Sequence, residues 1–162
     1  MRRKKRIGDI YSVKLENGRK YFQYVANDSL QLNSDVIRVF KTLYSLHEEP
    51  TKLDIINQEV MLYTHCLINV GKKLKVWEYF DNSEEVGEDP KNLVFRDSWD
   101  YGTGKLSSKN WHVWHINDYD FKKIGWLRKK YRDAYVGVVY PPIGIMKLMN
   151  GEEFPPLYPS WE

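Results

Sequence analysis

A chain of 162 residues, 42% hydrophobic and 15% aromatic, can bury one sizeable core, and its length argues for a single domain. With Arg2, Arg3, Lys4, Lys5 and Arg6 set aside, 20 basic residues face 22 acidic ones, so the +3 charge hides a near-neutral body and argues against nucleic-acid binding as the main task. No apolar run approaches the roughly 20 residues of a membrane span, the N-terminus lacks a signal-peptide core, and the lone Cys66 excludes an internal disulfide; together these predict a cytoplasmic protein with no membrane partner.

The basic start reads as a solvated, disordered arm over 1–6, followed by a globular domain over 7–151. Gly8 to Ala26 reads as a β-hairpin closed by Asn17-Gly18, because a type I′ turn needs positive φ at both central residues and Asn-Gly tolerates it. Closure there pairs Glu16 with Arg19, Leu15 with Lys20, Val13 with Phe22 and Tyr11 with Tyr24. One face is then apolar and the other, with Ser12, Lys14, Tyr21 and Gln23, polar. Asp35 to Tyr44 is β-branched and aromatic enough for a third strand. Thr51 and Asp54 mark the start of a short helical turn. Residues 60–71 alternate, with Leu62, Thr64, Cys66, Ile68 and Val70 on one face, which predicts a buried central strand with Cys66 as a small core residue. Leu74 to Phe80 supplies another strand.

Composition shifts between Asp81 and Asp100, where seven acidic residues meet two basic ones and Gly87 and Pro90 break regular structure. A long acidic loop is predicted, with a short extended piece at Leu93 to Phe95. Asn110 to Asn117 is a strand, and Asp118 caps a helix carrying Phe121, Ile124 and Leu127. Lys122, Lys123, Arg128, Lys129, Lys130 and Arg132 make that stretch the basic counterpart of the loop. Ala134 to Tyr140 returns to strand, and Pro142 opens a helix with Ile143, Met146 and Met149 on one face before Gly151. Residues 152–162 form a proline-rich extended tail. The fold expected is mostly β, a small curled antiparallel sheet or SH3-like barrel with one or two short helices, and α+β as second choice.

Chemistry leaves few traces. His112, His115, Asp118 and Asp120 make a metal-like string, but histidines three apart point to opposite sides of a strand, and His47 and His65 lie in separate segments. The acidic loop lacks the spacing of a calcium loop, and there is no phosphate cradle, nucleophile elbow or local Cys-His pair. No catalytic, cofactor or metal residue is therefore assigned. Six Trp and twelve Tyr favour a binding module over an enzyme, since these side chains bury large areas while keeping a polar handle. Two partner surfaces suggest themselves: the carboxylates Glu84, Glu85, Glu88 and Asp89, and an aromatic patch of Trp99, Trp111 and Trp114.

The opening IGDIYSVKLENGRKYFQYV, with Gly8, Asp9, Ile10, Tyr11, Val13, Leu15, Gly18 and Tyr21, resembles the start of the bacterial immunity protein 26 family, and a tryptophan at 77 suits the same layout. The resemblance implies a mostly-β protein that binds and neutralises a cognate polymorphic toxin in the producing cell. Nuclease toxins are the class that an acidic loop suits. Some relatives carry a phosphotriesterase label, which makes a metal-dependent hydrolase the enzymatic alternative; the other alternative, a nucleic-acid-binding barrel, would use Arg2 to Arg6 and Lys122 to Arg132.

Overall fold

The computed structural model describes residues 3–152 and Pro159. In chain order these form β1 (Asp9–Leu15), β2 (Gly18–Asp28), β3 (Ser34–Phe40), α1 (Lys52–Ile56), β4 (Val60–Cys66), α2 (Ile68–Lys73), β5 (Trp77–Asn82), β6 (Val94–Ser98), β7 (Trp111–His115), β8 (Lys122–Gly125), β9 (Tyr135–Val136), β10 (Val139–Tyr140) and α3 (Pro142–Met149). One sheet is ordered β10-β4-β3-β2-β1-β5 and the other β8-β7-β6-β9. The fold is mostly β, as expected, but it consists of two sheets and three short helices instead of a closed barrel. The sheets are antiparallel except where β10 joins β4 and β9 joins β6. The proline-rich tail lies outside the described residues, apart from Glu152 and Pro159.

The hairpin forms with its register moved two residues from the predicted one. Leu15 pairs with Gly18, Val13 with Lys20 and Tyr11 with Phe22, so Glu16 and Asn17 make the loop. Neither takes positive φ, so the turn is not type I′. A two-residue shift preserves side-chain parity, and Tyr11, Val13, Leu15, Phe22 and Tyr24 still share one buried face. Gly18 is needed for a different reason. A Cβ there would lie 2.3 Å from the Tyr44 carbonyl oxygen, because Arg19 and Tyr44 exchange main-chain bonds across the turn.

Both faces of the large sheet are covered, which corrects the expectation of one polar face. α2 and α3 cover the first face, where Ile68, Ile145 and Met149 join the hairpin aromatics and Trp77. The second face carries Ile10, Tyr21 and Phe40, packed on Ile55 of α1, and Val25, Val36 and Tyr63, packed on Phe95 and Trp114 of the smaller sheet. α1 starts as predicted, with Thr51 and Asp54 forming a reciprocal capping box. α3 starts at Pro142 as predicted, but it buries Pro142, Ile145 and Met149, and Ile143 is exposed.

Three other predicted boundaries move for tertiary reasons. The strand over 60–71 ends at Cys66, and a helix follows because the buried Asp35 carboxylate accepts from the Ile68 amide at 3.0 Å. Its Gly71 lies where a Cβ would come within 2.0 Å of the Trp77 ring. The helix expected after Asp118 is strand β8, which pairs with β7 and gains ladder bonds that a helix weakened by Gly125 cannot match. The strand expected over Ala134 to Tyr140 is split into two short strands that serve different sheets: β9 lies beside β6 and β10 beside β4. The crossing is at Gly137, whose amide donates to the Arg96 carbonyl at 2.7 Å and whose missing Cβ leaves room for the Trp114 ring, otherwise 1.9 Å away. Gly137→Ala is expected to cost about 1–3 kcal/mol through overpacking. The check is a lower urea midpoint at unchanged slope.

The arm expected to be solvated and disordered over 1–6 stays largely exposed at Arg3, Lys4 and Arg6, but ion pairs tie it to the body from Arg3 onward. Arg3 donates to the fully buried Asp9 carboxylate at 2.7 Å and lies over the Tyr79 ring, while Lys5 pairs with the buried Asp35 carboxylate. The physical reason is charge: two carboxylates placed inside the sheet need cations, and the arm supplies them.

Candidate partner-binding surface

The acidic loop runs from the end of β5 to the start of β6 and crosses the second face of the large sheet. Beneath it lie Gln23 and Arg38, cross-strand partners on β2 and β3 and both buried. Arg38 Nε donates to Gln23 Oε1 at 2.8 Å, and Arg38 Nη2 donates to the Glu85 carbonyl at 3.0 Å. Gln23 Nε2 faces the carbonyls of Gly8, Ser83 and Glu85 at 3.0–3.2 Å. Gly87 takes positive φ, and a Cβ there would meet the Arg38 guanidinium at 2.1 Å, so the chain descends onto the arginine where only glycine fits. Burial pulls the Arg38 guanidinium below its ordinary value, against the neighbouring Tyr63 hydroxyl and Glu85, which favour its charge.

The main chain is thus held from below while the acidic side chains face outward. Glu84, Glu85, Glu88 and Asp89 are all exposed. Two of them brace the loop: Glu85 accepts from the Gly87 amide at 3.3 Å, and Asp89 accepts from the Lys91 amide at 3.0 Å and caps a 3₁₀ turn over Pro90–Asn92. Side chains already ordered by such bonds lose less freedom on binding than those of a mobile loop.

The aromatic patch does not form as predicted. Trp111 and Trp114 are fully buried in the core, because β7 is an inner strand covered on both faces, and Trp99 alone of the three is exposed. Trp99 stacks on the buried His112 with ring centroids 4.4 Å apart, and Lys123 lies 5.8 Å from its ring. Burial, and next the charge of Lys123, push the His112 imidazole below its ordinary value. Asp100 holds the loop beside Trp99, accepting from Lys105 at 2.8 Å, Ser108 at 2.7 Å and Asn110 at 3.0 Å. Those bonds, that of Lys105 first, keep its carboxyl down at about 2. The acidic loop and Trp99 flank opposite ends of β6, roughly 20 Å apart at the rise of a strand, and do not form one patch.

The metal-like string is dispersed. His112 is buried and His115 exposed, as the strand geometry requires; His115 bonds the Leu93 carbonyl at 3.0 Å, and Asp118 accepts from the His115 amide at 2.7 Å to close a turn. Among the described residues no group of three His, Cys, Asp or Glu converges as a metal site. Sequence spacing hid a different pair: His65 Nε2 donates to Asp28 Oδ2 at 2.9 Å, with both side chains fully buried. No substrate reaches it, and its neighbours are the rings of Phe95 and Trp114. Comparison with family models, with characterised proteins and with solved structures finds no match. Among the described residues no helix is long and apolar enough to cross a membrane.

Proposed function

We propose that the chain is a binding protein of the immunity type, which neutralises a basic protein toxin, a nuclease being the class that fits, through the loop carrying Glu84, Glu85, Glu88 and Asp89. The observation that supports this reading is the anchoring of that loop by the buried Gln23 and Arg38, which presents four exposed carboxylates from an ordered main chain. A nuclease cleft is basic because it binds phosphates, and carboxylates that occupy it accelerate encounter and block substrate. The test is growth rescue by co-expression with candidate nuclease toxin domains, the genomic neighbour first, followed by association kinetics. Reversing the four charges is expected to slow association tenfold or more at low salt and much less at high salt, because charges at an interface rim are screened over about 10 Å at 0.1 M. Equal association of wild type and variant at low salt would remove the loop from the interface.

A second reading rests on the smaller sheet. Between Trp99 and Arg132, eight basic residues accompany three acidic ones, and the exposed Trp99 with Lys123 offers a base-stacking surface beside a cation. Quenching of tryptophan fluorescence by oligothymidylate, lost in Trp99→Ala and steeply salt-dependent, would favour that reading over the first.

A further inference from the structure

The crossing at Gly137 has a consequence for the edge of the large sheet. β10 pairs with β4 at His65 and Cys66 only, and the preceding residues then turn away to lie beside β6. The edge of β4 from Leu62 to Thr64 is left facing a wedge between the two sheets, and a cavity of about 300 Å³ fills that wedge. One side is walled by Leu62, Val136 and Leu148, and Tyr63, Tyr135 and Tyr140 add aromatic surface, Tyr63 and Tyr135 meeting edge-on at 5.2 Å. No charged side chain lines it.

Thr64 also lines this cavity. It is 1% exposed, and its Oγ1 has no hydrogen-bond partner. An unmet buried hydroxyl is costly, and its position in a mostly apolar wall marks where a polar atom of an occupant belongs. A cavity of about 150 Å³ already holds benzene, so this one takes a substituted ring and is too small for a folded partner.

We infer that the wedge between β4 and the β9–β10 crossing is a binding site for a small, uncharged, ring-sized molecule bearing one hydroxyl or similar polar group, which Thr64 recognises. The absence of charge in the lining excludes phosphates and carboxylates, whose desolvation nothing there would offset. The site shares Tyr63 with the ground beneath the acidic loop, where its hydroxyl neighbours Arg38, but it does not depend on toxin binding.

The test uses the full chain, ¹⁵N-labelled, with 4-methylphenol and toluene as probes that differ by a single hydroxyl. 4-Methylphenol is expected to shift the amides of Thr64 and Val136 saturably, with a dissociation constant of about 1 mM or below. Toluene should bind about tenfold more weakly, since it leaves the threonine oxygen unmet. Thr64→Val keeps the side-chain shape and should erase the preference, while Leu148→Phe should fill the wedge and abolish binding of both, with thermal melts confirming that each variant folds. No saturable shift in the wild type, or a preference for 4-methylphenol that survives in Thr64→Val, would overturn the assignment. The second outcome would mean that the orphan hydroxyl is met by a trapped water and selects nothing.

Discussion

Asp28→Ala is expected to destabilise the fold by about 3–5 kcal/mol, the range for removing one partner of a buried polar or ionic pair. Asp28 ends β2, and its carboxylate joins the two sheets. Oδ2 accepts from His65 Nε2 on β4 at 2.9 Å and from Trp114 Nε1 on β7 at 3.3 Å, and Oδ1 accepts from the Asn117 amide at 2.9 Å. Asn117 then returns the connection, since its side chain accepts from the Ser29 amide at 2.8 Å and donates to the Asn27 carbonyl at 3.0 Å. Truncation leaves the buried His65 and Trp114 donors unmet inside the fold and removes the partner of the Asn117 amide at its margin. Burial pushes the Asp28 carboxyl up, but the bonds from His65, Asn117 and Trp114 outweigh it and hold the group below the usual carboxylate range. A depressed folded value stabilises the protein above the unfolded carboxylate's pKa of about 4, and that stability is lost as pH falls through the folded value. Urea unfolding of wild type and Asp28→Ala should therefore differ most near neutrality and converge in acid. A gap that stays constant down to pH 3 would show that the charge of Asp28 is not what holds the sheets together.

Deleting residues 1–6 should have an effect of similar size, about 3 kcal/mol or more, because it strips cations from two buried carboxylates. Asp9 keeps Asn82 at 2.9 Å and a long contact with the Tyr11 hydroxyl at 3.4 Å, but it loses Arg3. Asp35 keeps the Ile68 amide and Asn27 but loses Lys5. Arg3 also shields Tyr79, and Lys72 donates to the Arg3 carbonyl at 3.2 Å, so the arm also closes over the start of the sheet. At roughly 2–4 °C per kcal/mol for a chain of this size, the melting temperature should fall by about 10 °C. Asp35→Asn placed in the deleted chain should recover part of the loss, since it removes the uncompensated charge and keeps an acceptor for Ile68. No loss of stability on deletion would mean that the arm is dispensable in solution, and no recovery by Asp35→Asn would place the damage in packing instead of charge.

The candidate surface was legible in part. Net charge along the chain located the acidic loop, and the exposure of Glu84, Glu85, Glu88 and Asp89 follows from the cost of burying carboxylates without partners. Nothing in the spacing of Gln23, Arg38 and Glu85 shows that the first two hold the main chain of the third, since they come from three segments joined by sheet pairing. The aromatic patch failed for the converse reason. Trp111 and Trp114 have the same local pattern whether β7 is an edge or an inner strand, and only the pairing of β6 and β8 on its two sides decides their burial.

By itself the sequence determined what depends on period and short-range chemistry. Tyr11, Val13, Leu15, Phe22 and Tyr24 share a face despite a two-residue slip, because parity survives any even shift. Thr51 and Pro142 open helices because capping and a fixed φ act within one turn. The tertiary structure alone decided where the extended run over 60–71 stops, which sheet each half of 134–140 joins, and that the arm is a set of counter-ions. Each of these turns on a group far away in the chain: Asp35 for the Ile68 amide, Trp114 for Gly137, Asp9 and Asp35 for Arg3 and Lys5. A buried carboxylate or ring acts on whatever the fold brings within a few ångströms, and sequence separation carries no record of that distance.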